Sequence, residues 1–296
     1  MNKKHFILGG DIKKSLEVGC KLDFKVLLKD AFVLTKKHFF PLLTASVFSL
    51  FIVLGVYGLI YTVLTVLSPE MQTIAEFVLA TFVITPLMTG LLMMGVNHSV
   101  GLKSRSIDVF NCFKVFRPLA LASMFTNLIV LAISTALTAA LGDDIGLKLS
   151  IIVMLYSSVV FCLIYPLIAE KKVSPLLALV LSFKVVNKNL MQFTLLFIII
   201  GLLAAVATLP SGLGLFFFIP FYFNLMGVVY RHVCGVGLIA IDESQPSTQE
   251  TPNINDDTTE PSNISAKEDA LDTASEKNEK SENKKIDKSI TDSFDA

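Results

Sequence analysis

With 53% apolar side chains, a mean hydropathy of +0.67 and only 17% charged residues, this chain of 296 residues lies below the roughly 25% charge of an ordinary soluble domain. Its net charge of zero averages two unlike parts: residues 242–296 carry 15 Asp/Glu and 6 Lys, and the first 241 residues carry 19 Lys/Arg and 10 Asp/Glu. A soluble globular body is excluded, because the apolar residues fall in uncharged runs of membrane-crossing length.

The first 38 residues hold nine Lys. Phe6-Ile7-Leu8 is too short to be the apolar core of a signal peptide, so the first long run is expected to act as an uncleaved insertion signal. Before it, Phe24, Leu27, Leu28, Ala31, Phe32 and Thr35 recur at helical spacing, with Lys25, Lys29 and Lys36 turned elsewhere. This stripe predicts an amphipathic helix lying among lipid headgroups.

A helix needs about 20 apolar residues to cross a bilayer. Phe39–Leu67, Phe77–Val100, Pro118–Leu141 and Leu149–Ala169 each meet that length. The final run, Asn189–Tyr230, is about twice too long for one crossing, and Pro210-Ser211-Gly212-Leu213-Gly214 supplies the turn residues that divide it. Six spans are therefore expected. Residues 101–117 and 170–188 carry four Lys/Arg each and Arg231 follows the last span, whereas the alternate loops hold Lys148 alone against Glu70, Asp143 and Asp144. Positive charge stays on the cytoplasmic side, so both termini are expected there. From Asp242 onward the polar, acidic composition predicts a disordered tail. The expected division is thus 1–38, a cytoplasmic segment with the interfacial helix; 39–240, the spanning body; and 241–296, the tail.

A threefold pattern underlies this order. Ile107–Phe113 and Ser174–Lys188 resemble the amphipathic stripe before the first span, and each stripe precedes an outbound and an inbound span. Phe40-Pro41-Leu42 with Ala45-Ser46 aligns with Arg117-Pro118-Leu119 and Ala122-Ser123. Every inbound span has a proline (Pro86, Pro166, Pro220), and a His follows twelve residues after the first and third, at His98 and His232. The fold class expected is all-α: a polytopic transmembrane bundle of three interfacial-helix-plus-hairpin units.

The run Tyr165-Pro166-Leu167-Ile168-Ala169-Glu170-Lys171-Lys172-Val173-Ser174-Pro175, with Ser182-Phe183-Lys184, Asn187-Lys188-Asn189, Pro220 and Gly227-Val228-Val229-Tyr230-Arg231, carries a resemblance. It resembles a loose, largely uncharacterised group of bacterial six-helix integral membrane proteins, similar to the membrane domain found beside some glycerophosphodiester phosphodiesterases. The resemblance covers about residues 20–240. It implies a bacterial inner-membrane location and no assigned reaction, since the phosphodiesterase activity belongs to a separate soluble domain.

Few residues offer chemistry. Glu76, His98, Glu170 and Arg231 sit at span ends, and the chain has no H-E-x-x-H, C-x-x-C or G-x-S-x-G. Cys20, Cys112, Cys162 and Cys234 are far apart with no metal-type spacing, so no catalytic role, metal or cofactor is expected. Asn127 and Asn224 lie within spans and should face other helices, as interhelical glue or as solute contacts. Pro86, Pro166 and Pro220 shape the packing or line a cavity together with those two Asn. Ala132, Ala136 and Ala140, like Gly201 and Ala205, form small-residue stripes suited to close helix packing. Anionic lipid headgroups are the expected partners of the basic face. A protein partner could use that face or the tail, and no nucleic acid is expected. The leading expectation is a non-enzymatic, envelope-organising membrane protein, and the alternative is a transporter or channel for a small or amphipathic solute.

Overall fold

An apolar run removed from water must satisfy its amides internally, and a helix does so within one segment. The computed structural model describes residues 3–64, 69–209 and 212–241, and among these the fold is an all-α helical bundle with one two-stranded sheet. Strand β1 (Lys3–Leu8) pairs with β2 (Val236–Ile241). Residues 7–238 form one compact unit, and residues 3–6 and 239–241 are the described parts of a second. The expected tail lies outside the described residues.

Helix α1 (Ile12–Glu17) starts at Asp11, whose carboxylate accepts from the Lys13 amide. Helix α2 (Phe24–Lys37) starts likewise at Asp23, which accepts from the Lys25 and Val26 amides. It ends on Lys36 and Lys37, whose charges suit the negative end of the helix dipole. Of the predicted stripe, Leu27, Ala31 and Thr35 are buried, Phe24 and Leu28 are half-buried and Phe32 is exposed. Helix α3 (Phe39–Leu64) follows at once.

The return passage begins with α4 (Pro69–Leu79), widens into a π turn over Ala80–Ile84, and continues as α5 (Thr85–Ser99). A 3-10 segment (Ser106–Val115) stands where the second amphipathic stripe was expected, and α6 (Phe116–Leu141) leads out from it. Helix α7 (Asp143–Val160) returns, breaks at Phe161–Leu163, and resumes as α8 (Ile164–Lys171). Helix α9 (Pro175–Lys188) has Ser174 before it and Pro175 in its first turn. Helices α10 (Leu190–Thr208) and α11 (Leu215–Cys234) complete the third pair, so the long last run divides where its turn residues stand.

Among the described residues, five helical stretches are long and apolar enough to cross a membrane: Phe39–Leu59, Ile74–Ser99, Ser106–Leu141, Asp143–Lys171 and Leu190–Thr208. The chain is therefore an integral membrane protein. The expected sixth, α11, is not among them. It carries Asn224, Arg231 and His232 along with its apolar residues, and its second half is buried by neighbouring helices rather than turned to lipid.

Glycines, not alanines, set the tightest helix crossing. Gly95 on α5 faces the backbone of Phe223 and Asn224, and Gly227 on α11 faces that of Gly95 and Val96. A Cβ at either place would overlap main chain. The stripes read from the sequence sit elsewhere: Ala132, Ala136 and Ala140 are exposed, and a Cβ on Gly201 would meet nothing. Their small size leaves no mark on packing within this chain.

The three inbound prolines are all buried. Pro86 follows the π turn, Pro166 follows the break at 161–163, and Pro220 lies inside α11, five residues after its start. Proline has no N–H and crowds the preceding turn. The backbone of the first two units yields at the same place, just ahead of the proline, and in the third the helix begins there.

Candidate functional site

Two neighbouring cavities, each open on one side, lie among the helices of the bundle. One, of about 360 Å³, is bounded by α5, α6, α7, α8, α10 and α11. Its polar lining comes from Thr89, Thr126, Asn127, Ser157, Ser158 and the two phenols of Tyr165 and Tyr222. The second, of about 640 Å³, lies among α3, α5 and α11 and is apolar apart from Ser46, Ser49 and Tyr222. Met88, Tyr222 and Phe223 line both, so three side chains form the wall between them. Both volumes fall within the roughly 300–1,000 Å³ of ligand sites.

The prolines explain where these residues stand. Met88 and Tyr222 each lie two positions after an inbound proline, Pro86 and Pro220, and Tyr165 immediately precedes Pro166. Asn127 reaches the same region from α6. Its amide donates to the Ser123 hydroxyl (3.4 Å), which is within hydrogen-bond distance (3.0 Å) of the hydroxyl of Thr85, the residue before Pro86. Thr85 in turn bonds the Ala80 carbonyl (3.0 Å), tying off the π turn. The polar network of α6 is thus anchored on the helix irregularity of the second passage.

Most hydroxyls of the polar cavity have spent their protons. Thr89 donates to the Thr85 carbonyl, Thr126 to those of Ala122 and Ser123, and both Ser157 and Ser158 to that of Met154. Their oxygens keep lone pairs free to accept. The Tyr165 and Tyr222 hydroxyls have no hydrogen-bond partner among the described residues, and neither does the Asn127 carbonyl oxygen. The lining therefore offers donors and acceptors but no charged residue.

Of the five residues singled out in the sequence, Asn127 lines this cavity, and Pro86, Pro166 and Pro220 flank residues that do. Asn224 stands apart. It is fully buried and joins three helices: its amide donates to Thr35 on α2 (3.2 Å) and its carbonyl faces Nδ1 of His98 on α5 (3.0 Å). Thr35 spends its own proton on the Ala31 carbonyl (2.7 Å), so it can only accept from Asn224. The Asn224 oxygen must then face His98, which makes Nδ1 the protonated nitrogen of the neutral ring. His38 stacks on His98, and Nε2 of both rings is buried with no partner among the described residues.

No family model, curated protein or solved structure matches this chain. Its chemistry is accordingly read from its own residues.

Thr89, Ser157, Ser158, Tyr165 and Tyr222 escaped the sequence reading because single hydroxyls in apolar runs are common. A signal was present nonetheless. Thr85 and Thr89 lie four apart, and Ser123, Thr126 and Asn127 lie three and four apart, each set marking one helix face. No group of three or more His, Cys, Asp or Glu suited to a metal ion occurs among the described residues.

At the basic end, the chain before α2 is stitched to the bundle. The Gly10 amide donates to the Arg231 carbonyl, Ser15 to that of Val233, and the Cys20 and Leu22 amides to the side chains of Asn189 and Gln192. Arg231 binds the Ser99 carbonyl and pairs with Asp30 at 3.6 Å. Glu170 accepts from the Tyr230 hydroxyl (2.8 Å) and the Gly237 amide (2.9 Å).

Proposed function

We propose that this protein is a carrier or channel for a small amphipathic solute, taken up from the bilayer and held at the helix irregularities around Asn127. The observation that carries this reading is a hydrogen-bonding, uncharged cavity inside an apolar bundle, sharing a three-residue wall with a larger apolar one. Irregular helices at membrane depth are tolerated where they line a cavity. Here the break at 161–163 borders the polar cavity through Phe161 and Cys162, and the π turn borders the apolar one through Ile84. The envelope-organising role gains no observation of its own, so the solute reading takes precedence.

In this reading α11 makes the sixth crossing, with Asn224 sheltered by the helices around it and Arg231 and His232 in its last turn at the membrane face. Both termini are cytoplasmic, the membrane is a bacterial inner membrane, and the Lys-rich face meets anionic headgroups at about 1 kcal/mol per well-placed cation.

The test is exchange of a fluorescent single-chain amphiphile between leaflets of vesicles containing the purified protein. Exchange should exceed that of protein-free vesicles and fall at least roughly tenfold in Ser158→Phe, which fills the polar cavity. Exchange equal to that of empty vesicles would contradict the reading.

A further inference from the structure

We infer that the occupant is a single-chain amphiphile with an uncharged, hydroxyl-bearing head, such as a long-chain alcohol or a monoacylglycerol. The inference rests on the solute reading above and names the ligand class of that site.

The head is constrained by what the polar cavity offers. An ionised carboxylate or phosphate would lose its hydration and meet no Lys, Arg or His among the lining residues, a cost that a buried charge recovers only when paired. An ammonium head would equally find no carboxylate. A hydroxyl head fits both halves of the lining. Its oxygen accepts from the Tyr165 or Tyr222 phenol, and its proton goes to the Asn127 carbonyl or to an oxygen of Thr126 or Ser158. The two phenols and the Asn127 carbonyl have no other partner among the described residues, whereas Thr126 and Ser158 offer only spare lone pairs, and an uncharged hydroxyl satisfies them without introducing a new unpaired charge.

The chain is constrained by the neighbouring cavity. Leucines, Val53, Ile84 and several phenylalanines make it apolar, and it suits methylene groups rather than a second polar moiety. Met88 stands in the wall between the two. Its unbranched side chain has three rotatable bonds and adapts to a passing chain, so one molecule can keep its head beside Asn127 and lay its tail over Met88 towards Leu50 and Phe216.

The sequence contains no Trp, so one introduced Trp reports without background. In the full-length Leu50→Trp protein in nanodiscs of neutral lipid, we would titrate a long-chain ω-bromoalcohol and the ω-bromocarboxylate of equal length, at a pH where the acid is ionised. Bromine quenches the indole only on contact. Saturable quenching is expected from the alcohol at a concentration at least roughly tenfold lower than from the carboxylate. Asn127→Val and, independently, Tyr165→Phe should each weaken the alcohol severalfold while leaving the thermal transition in place. Equal or tighter carboxylate binding overturns the uncharged-head inference and leaves the solute reading standing. Linear, non-saturable quenching by both probes overturns the two together.

Discussion

His38, which closes α2, and His98, in the last turn of α5, lie ring on ring with centroids 4.3 Å apart and planes 11° apart. With Asn224 and Thr35 they form a buried junction at which side-chain hydrogen bonds join α2, α5 and α11. The amphipathic helix before the first span is therefore locked into the bundle.

Burial of His38 makes stability depend on pH. Burial, followed by the charges of Lys37 and Lys103, pulls the His38 imidazole below its ordinary value. The unfolded chain then takes up the proton first, so stability is full above the unfolded value of about 6.5 and falls as pH drops towards the folded one. His38→Phe keeps a ring on His98 and removes the titrating group. Thermal unfolding in detergent between about pH 8 and pH 5 should show a shallower decline in the variant than in the wild type. Identical slopes would refute this role.

Asn224→Leu should destabilise the protein by about 2–3 kcal/mol, because Nδ1 of His98 is left buried without its acceptor. Amphiphile binding by the surviving folded fraction should be unchanged, since Asn224 does not line either cavity. A large loss of binding at full stability would move Asn224 into the site.

Gly95→Ala should cost about 1–3 kcal/mol through overlap with the Phe223 carbonyl. Gly201→Ala, into open space, should cost nothing measurable. Denaturation in mixed micelles distinguishes the two, and equal effects would mean that the α5–α11 crossing is not as close as described.

Reporter fusions address the sidedness inferred from charge. A reporter active only in the cytoplasm should work after Lys103, Lys172 and Ala296, and one active only outside should work between Gly142 and Asp144. External activity after Ala296 would remove α11 from the count of crossings.

The helices were legible in the sequence because charge marks their ends. Lys36-Lys37 before Phe39, Asp143-Asp144 after Leu141 and Lys171-Lys172 after Ala169 bracket uncharged runs, and desolvation forbids those charges from entering the membrane. The division at Gly212 was legible for a related reason: its positive φ of 78° suits glycine where one helix ends and the next begins. What stayed hidden were relations between distant residues. Asn224 is 126 residues from His98 and 189 from Thr35, and no local pattern states that the three helices meet. The two His that follow proline at twelve residues look alike in sequence, yet His98 is buried on Asn224, whereas His232 is exposed with its ring nitrogen 3.2 Å from the Lys21 carbonyl. The small-residue stripes misled because size permits close packing without causing it. The backbone contacts fell to Gly90, Gly95 and Gly227 instead.

The central claim is that the cavity beside Asn127 holds a molecule drawn from the membrane. Native mass spectrometry of the full chain, released from its own membrane in a mild detergent, tests it most directly. The account predicts one retained adduct with the mass of an uncharged single-chain amphiphile, lost in Ser158→Phe and depleted in Asn127→Val. A bare wild-type chain, or the same adduct on all three proteins, would contradict it.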